Sequence, residues 1–182
     1  MALIRNPIPV KMICGITYAP DVSLDPVIQK LEKSFTPVEI RSSVFDFSSF
    51  TSYYEDEMGQ GLSKLFVCFQ GLYDPIFLAE SKVKTNEIED EWSCKSKRRV
   101  NLDPGYITAA KLVLATTKDF AHRIYIGRGI YGDVQYRFRQ GRFDPSRWTY
   151  PDYQTDLAMT FFQQVRQLFI KQEKENDEVV RL

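Results

Sequence analysis

Apolar and polar positions alternate along the chain in rhythms that mark out its elements. Val10 to Ala19 (VKMICGITYA) is a continuous apolar run between Pro9 and Pro20, the pattern of a buried strand. Asp25-Pro26 then supplies an N-cap and a first-turn proline, and Val27, Ile28, Leu31 and Phe35 follow at helical spacing. Val38 to Phe47 and Lys64 to Gln70 (KLFVCFQ) read as two further strands, separated by the aromatic and acidic loop TSYYEDEMGQG. Asp74-Pro75 repeats the cap-plus-proline signal and opens a helix toward Trp92.

Beyond a basic run, Pro104-Gly105 marks a turn, and the Ala, Leu and Lys content of Thr108 to Lys118 predicts a helix. Gly127-Arg128-Gly129 is a hairpin turn between a strand at 122–126 and a second strand. In that second strand Ile130, Gly132, Val134, Tyr136 and Phe138 alternate with Tyr131, Asp133, Gln135, Arg137 and Arg139, which predicts one apolar and one polar, basic face. Leu157, Phe161, Phe162, Val165, Leu168 and Phe169 form the apolar stripe of a final helix, and the charged tail 171–182 is expected to fray. Hairpins interspersed with single helices predict one α+β domain over residues 1–182, with a mixed, largely antiparallel sheet and helices packed mainly on one face.

Composition leaves this picture intact: 182 residues, 26% charged and 43% hydrophobic, fit one globular domain with a sizeable core. The net charge of zero conceals an asymmetry. Residues 46–91 hold ten acids against three lysines, and 95–147 hold twelve bases against four acids, so the halves are expected to meet and neutralise each other, or else to leave a local anion site. Cys14, Cys68 and Cys94 show neither disulfide nor zinc-ribbon spacing, and Cys14 and Cys68 sit in apolar runs as core residues. Met1 to Pro9 lacks the apolar run of a signal peptide and no stretch approaches a membrane span, so the expected compartment is the cytoplasm.

Several motifs fail on context. Gly127 to Gly132 (GRGIYG) fits G-x-G-x-x-G, but a strand follows where a dinucleotide fold needs a helix, and no kinase segments accompany it. Thr117-Lys118-Asp119 resembles a guanine-reading element without its spacer, and no phosphate loop exists. His122 is the only histidine, which excludes metal sites built on two imidazoles, and no metal is expected. Lys118, Asp119, His122 and Arg123 share one junction, where a carboxylate can orient an imidazole and cations can hold an anion; a structural histidine is the alternative. Arg98 to Asp103 suits bidentate anion binding and equally an ion pair with the preceding acidic helix.

RRVNLDPGY (98–106), KLVLATTKDFAHRIYIGRGIY (111–131) and WTYPDY (148–153), with YYEDEMG (53–59) and TNEIE (85–89) upstream, closely resemble the domain-of-unknown-function 4416 family. The resemblance implies a small, single-domain bacterial protein with no established activity and no assigned cofactor. Its pattern is carried mostly by polar residues and tyrosines, which points to a shared site rather than a shared core alone. The expected site joins Arg99, Asn101, Asp103, Lys118 and Arg123 as ligand-binding residues, walled by Tyr125, Tyr131, Tyr150 and Tyr153, with His122 as general acid or base oriented by Asp119. The expected ligand is a small anion, phosphorylated or nucleotide-like. The competing expectation is a protein- or RNA-docking module that uses the acidic YYEDEMG loop and the basic strand face at 137–142.

Overall fold

The computed structural model describes residues 3–4 and 6–180, apart from the side chains of 177–180. In chain order its elements are β1 (Lys11–Tyr18), α1 (Leu24–Ser34), β2 (Val38–Arg41), β3 (Phe45–Asp46), α2 (Glu55–Met58), β4 (Ser63–Phe69), α3 (Leu78–Glu91), β5 (Val100–Ile107), β6 (Lys111–Thr116), β7 (Ile124–Gly127), β8 (Ile130–Arg139), β9 (Arg142–Pro145) and α4 (Asp156–Val180). The fold is α+β. All the strand pairings are antiparallel, in the order β2-β4-β1-β5-β6-β8-β7, with β3 added to β4 and β9 to β8.

Alternation along the central strands builds two cores. Met12, Cys14 and Ile16 of β1, with Leu65 and Val67 of β4, face α1 through Val27, Ile28 and Leu31. Ile13, Phe66, Cys68, Leu112 and Leu114 face the opposite way, onto Ala158, Phe161, Phe162 and Val165 of α4. α3 lies over Val113, Ala115 and Ile130 on the α1 side of the sheet, so two long helices share one face and α4 covers the other. Each fully buried Phe, Leu or Ile here contributes on the order of 1.5–3 kcal/mol. No helix among the described residues is long and apolar enough to cross a membrane.

Local signals hold at several joints. Asp74 accepts from the Ile76 amide at 2.9 Å and caps a short 3-10 turn at Pro75–Phe77 that leads into α3. The β7–β8 hairpin closes on Arg128-Gly129, both with positive φ (56° and 75°), as a two-residue turn of matching twist requires. At α1 the cap moves: the helix begins at Leu24 with Ser23 at the N-cap, and Asp25 lies in its first turn. The helix of α4 continues through the charged segment to Val180, and the last two residues of the tail expected to fray lie outside the described residues.

Three expectations are overturned. Residues 108–118 form a hairpin end and strand β6 rather than a helix, because Leu112, Val113, Leu114 and Ala115 are buried between β5 and β8, where sheet pairing outweighs their modest helix propensity. Pro104-Gly105 is not a turn but lies inside β5. Gly105 is there for close approach: a β-carbon would lie 2.5 Å from the Val113 carbonyl oxygen. The polar and apolar faces of β8 also exchange midway, because a bulge at Gln135 sends Val134 toward α3 and Tyr136 toward α4.

Candidate functional site

The sheet forks beside Pro104. β5 pairs with β1 along all of Val100–Ile107, yet with β6 only over Gly105–Ile107, so the first half of β5 parts from the last half of β6. At the fork, backbone groups that would have bonded β6 need other partners. The Leu102 amide donates to Glu89 Oε1 at 2.8 Å, and the Leu102 carbonyl accepts from Lys82 Nζ at 2.6 Å. Two side chains of α3 thus replace the missing strand. Pro104, of the same parity as Leu102, has no N–H to leave unpaired on that side. This accounts for the polar buried stripe of α3, where Lys82, Thr85 and Glu89 recur at helical spacing beneath the surface.

A cleft of about 420 Å³ opens at this fork, between α3, the two diverging strands, and Tyr54 and Tyr150. Its floor is one hydrogen-bonded chain. Arg98 clamps Glu57 with two bonds (2.6 and 2.9 Å), donates to Glu89 Oε2 at 2.7 Å and to Asn101 Oδ1 at 3.1 Å, and Asn101 Nδ2 donates to Asp103 Oδ2 at 3.0 Å. The acidic and basic halves of the sequence meet here. Glu57, bonded by Arg98, is held below the usual carboxylate range, and the same carboxylates push Arg98 further up. Burial, then the negative charge of Asp103, raises Tyr54 strongly and Tyr150 to about 12, so both phenols stay protonated at neutral pH.

Four of the expected residues meet at this cleft: Asn101, Asp103, Lys118 and Tyr150. Lys118 makes no ion pair among the described residues; its Nζ donates to Tyr53 Oη at 2.6 Å and lies 4.3 Å from that ring's centre. Tyr153 is fully buried behind the floor, its hydroxyl without a hydrogen-bond partner among the described residues. Arg123 sits behind the wall, bonding Asp133 at 2.8 Å, the Lys118 carbonyl at 3.1 Å and the Tyr150 hydroxyl at 3.1 Å.

The remaining expected residues are placed elsewhere. Arg99 points away and ties Asp21 to the Met58 carbonyl, because successive residues of an extended chain face opposite ways; Arg98 takes the cleft position. The carboxylate beside His122 is Asp133, 3.7 Å from Nε2, not Asp119, which is exposed and interacts with Tyr131. His122 stacks on Trp148 at 4.4 Å and does not line the cleft. Tyr125 and Tyr131 form an edge-to-face pair on the β7–β8 hairpin, outside the cleft.

Sequence reasoning missed Lys64. Its Nζ lies 2.8 Å from Asp152 Oδ2 and 3.8 Å from Asp103 Oδ2, and its side chain is 3% exposed. The signal was available: Lys64 shares the parity of Phe66 and Cys68 in a strand whose apolar positions are buried. Glu89 and Lys82 were hidden in the same way, as charges on the sheet-facing stripe of a helix.

Fold and cleft define an α+β protein with an open antiparallel sheet and a polar, charge-balanced cavity at a fork in that sheet. The chain belongs to the family described as Domain of unknown function (DUF4416), whose profile matches residues 8–169. No curated protein and no solved structure matches it.

Proposed function

We propose that the chain binds a small polar molecule carrying one anionic group in the cleft at the fork of β5 and β6. The observation that supports this is the state of the charges. Arg98 and Lys82, which also line the cleft, are occupied by Glu57, Glu89 and the Leu102 carbonyl, and Arg123 by Asp133. Of the cations that line the cleft, that leaves Lys118 with no carboxylate partner among the described residues, flanked by Thr116 and Thr117. One phosphate or carboxylate group fits there. Asp90 and Asp103 in the lining accept hydrogen bonds, so the rest of the ligand offers hydroxyl or amino donors. With three cations and three carboxylates in the lining, a highly charged polyphosphate is disfavoured.

The cleft is preferred to docking because Glu57, one of the three acids of the YYEDEMG loop, is turned inward onto Arg98, while Lys97 bonds the Asp56 backbone carbonyl and holds the loop against the basic run. His122, stacked outside the cleft, supplies no general acid or base in this reading.

A thermal-shift panel of inorganic phosphate, sugar phosphates, nucleoside monophosphates and hydroxy acids tests the proposal on wild type, Lys118→Ala and Arg99→Ala. At a hundredfold excess over Kd a binder adds about 2.7 kcal/mol to stability. The expected result is a shift in wild type and Arg99→Ala that disappears in Lys118→Ala. No shift by any anion on the wild type rejects it.

A further inference from the structure

Beneath the floor of the cleft lies a second polar cluster that packing alone does not explain. Thr17 and Tyr153 are fully buried, and neither the Thr17 Oγ1 nor the Tyr153 hydroxyl has a hydrogen-bond partner among the described residues. Asp152, 3% exposed, pairs through its Oδ2 with Lys64 Nζ at 2.8 Å. These groups are neighbours. Thr17 lies opposite both Lys64 on β4 and Asn101 on β5, and Gly15 lies opposite Asp103. A β-carbon at Gly15 would stand 2.9 Å from the Tyr153 hydroxyl and 3.3 Å from Lys64 Cε, so the absent side chain there makes the space the two groups occupy.

Buried polar groups are ordinarily bonded, and an unmet hydroxyl costs on the order of 1–3 kcal/mol. Two such hydroxyls, of Thr17 and Tyr153, beside one buried lysine paired to Asp152 describe a receptor for a polar group. Asp103 joins this cluster to the cleft, because it lines the cleft and lies 3.8 Å from Lys64 Nζ, beyond hydrogen-bond reach but wide enough to be bridged.

We infer that the cleft continues past Asp103 into an internal subsite of Thr17, Lys64, Asp152 and Tyr153, which takes a hydroxyl-bearing end of the ligand. The inference rests on the cleft reading above and adds the substrate class: a polyol or sugar chain whose anionic group sits at Lys118. Charge decides between a hydroxyl and an acid at the inner end. Two carboxylates, Asp103 and Asp152, face one ammonium, so an entering anion meets a net negative site. A hydroxyl fits both sides, accepting from Lys64 or Tyr153 and donating to Asp103. Tyr153 remains a donor, since burial and then Asp103 hold its phenol well above the ordinary value.

The test is calorimetric titration with four-, five- and six-carbon polyol phosphates, with butyl phosphate as the hydroxyl-free match and inorganic phosphate as the common end. Sites that hydrogen-bond a substrate hydroxyl discriminate strongly against analogues lacking it. At least one polyol phosphate is expected to bind wild type more than tenfold tighter than butyl phosphate. Tyr153→Phe and Thr17→Val, which each delete a hydrogen-bonding hydroxyl at nearly constant volume, should each reduce that preference by roughly three- to tenfold. Both should leave inorganic phosphate affinity unchanged. Their melting temperatures are checked first, and if one variant is unfolded the other decides. Equal affinity for polyol and butyl phosphates, or an undiminished preference in both folded variants, overturns the subsite. If no phosphate binds wild type, the polyol-phosphate subsite fails, and if none of the hydroxy acids of the thermal-shift panel binds either, the cleft reading fails with it.

Discussion

Glu89 is the side chain whose removal should cost this fold most relative to its size. Its carboxylate is 2% exposed and serves three partners: the Leu102 amide at 2.8 Å, Lys82 Nζ at 3.4 Å and Arg98 Nη1 at 2.7 Å. Glu89→Ala leaves a buried lysine without its counter-ion, and breaking a buried pair from one side costs about 3–5 kcal/mol. It also orphans the Leu102 amide at the fork, where β6 is too far to take over, for about 1–3 kcal/mol more. These contributions overlap, and Arg98, 30% exposed on its side chain, keeps Glu57 and Asn101. A loss of roughly 3–4 kcal/mol is therefore expected. Equilibrium urea unfolding measures it, and for a chain of this size the melting temperature should fall by roughly 6–15 °C. Glu89→Gln, which can still accept from Leu102, should lose about half as much. A Glu89→Ala variant within 1 kcal/mol of wild type would refute the view that α3 side chains substitute for a strand.

Three further outcomes follow from the same structure. Gly105→Ala should destabilise by about 3 kcal/mol or prevent folding, since the added carbon would stand 2.5 Å from the Val113 carbonyl oxygen and backbone cannot step aside; soluble yield and urea unfolding check this. One thiol, Cys94, should react with Ellman's reagent in the native protein at pH 8, and two more only in denaturant, because Cys14 and Cys68 are buried and burial pushes Cys68 up to about 12 and Cys14 higher still. The folded-state pKa of Glu57 lies below its ordinary 4.5 through the hydrogen bonds from Arg98, so its contribution to stability is present above that value and is lost as pH falls through the folded pKa. Urea midpoints measured between pH 6 and 3 should fall on acidification, and fall less in Glu57→Gln.

The elements that could be read in sequence are those whose apolar pattern has one explanation. β1 is a buried run between prolines, and α4 carries a dense stripe at helical period; both stand where the pattern puts them. β6 was not readable, because KLVLAT has the composition of a helix and becomes a strand only by lying between β5 and β8. The Pro-Gly pair has the local signature of a turn. In the sheet its two residues do different work, one lacking a donor where no partner exists and the other lacking a side chain where two backbones touch.

The candidate site divides along the same line. The sequence reading pointed to the polar residues of 98–106, 111–131 and 148–153, where the family resemblance concentrates, and four of those it named, Asn101, Asp103, Lys118 and Tyr150, line the cleft. Which of two adjacent arginines faces the cleft, and which aspartate stands by His122, depends on strand parity and on pairings across the sheet, and no local rule carries that information. Lys82 and Glu89 came to line the cleft only because β5 parts from β6, since a charge is tolerated in a protein interior where a fork leaves backbone groups to satisfy, and Lys64 is held in the interior by Asp152.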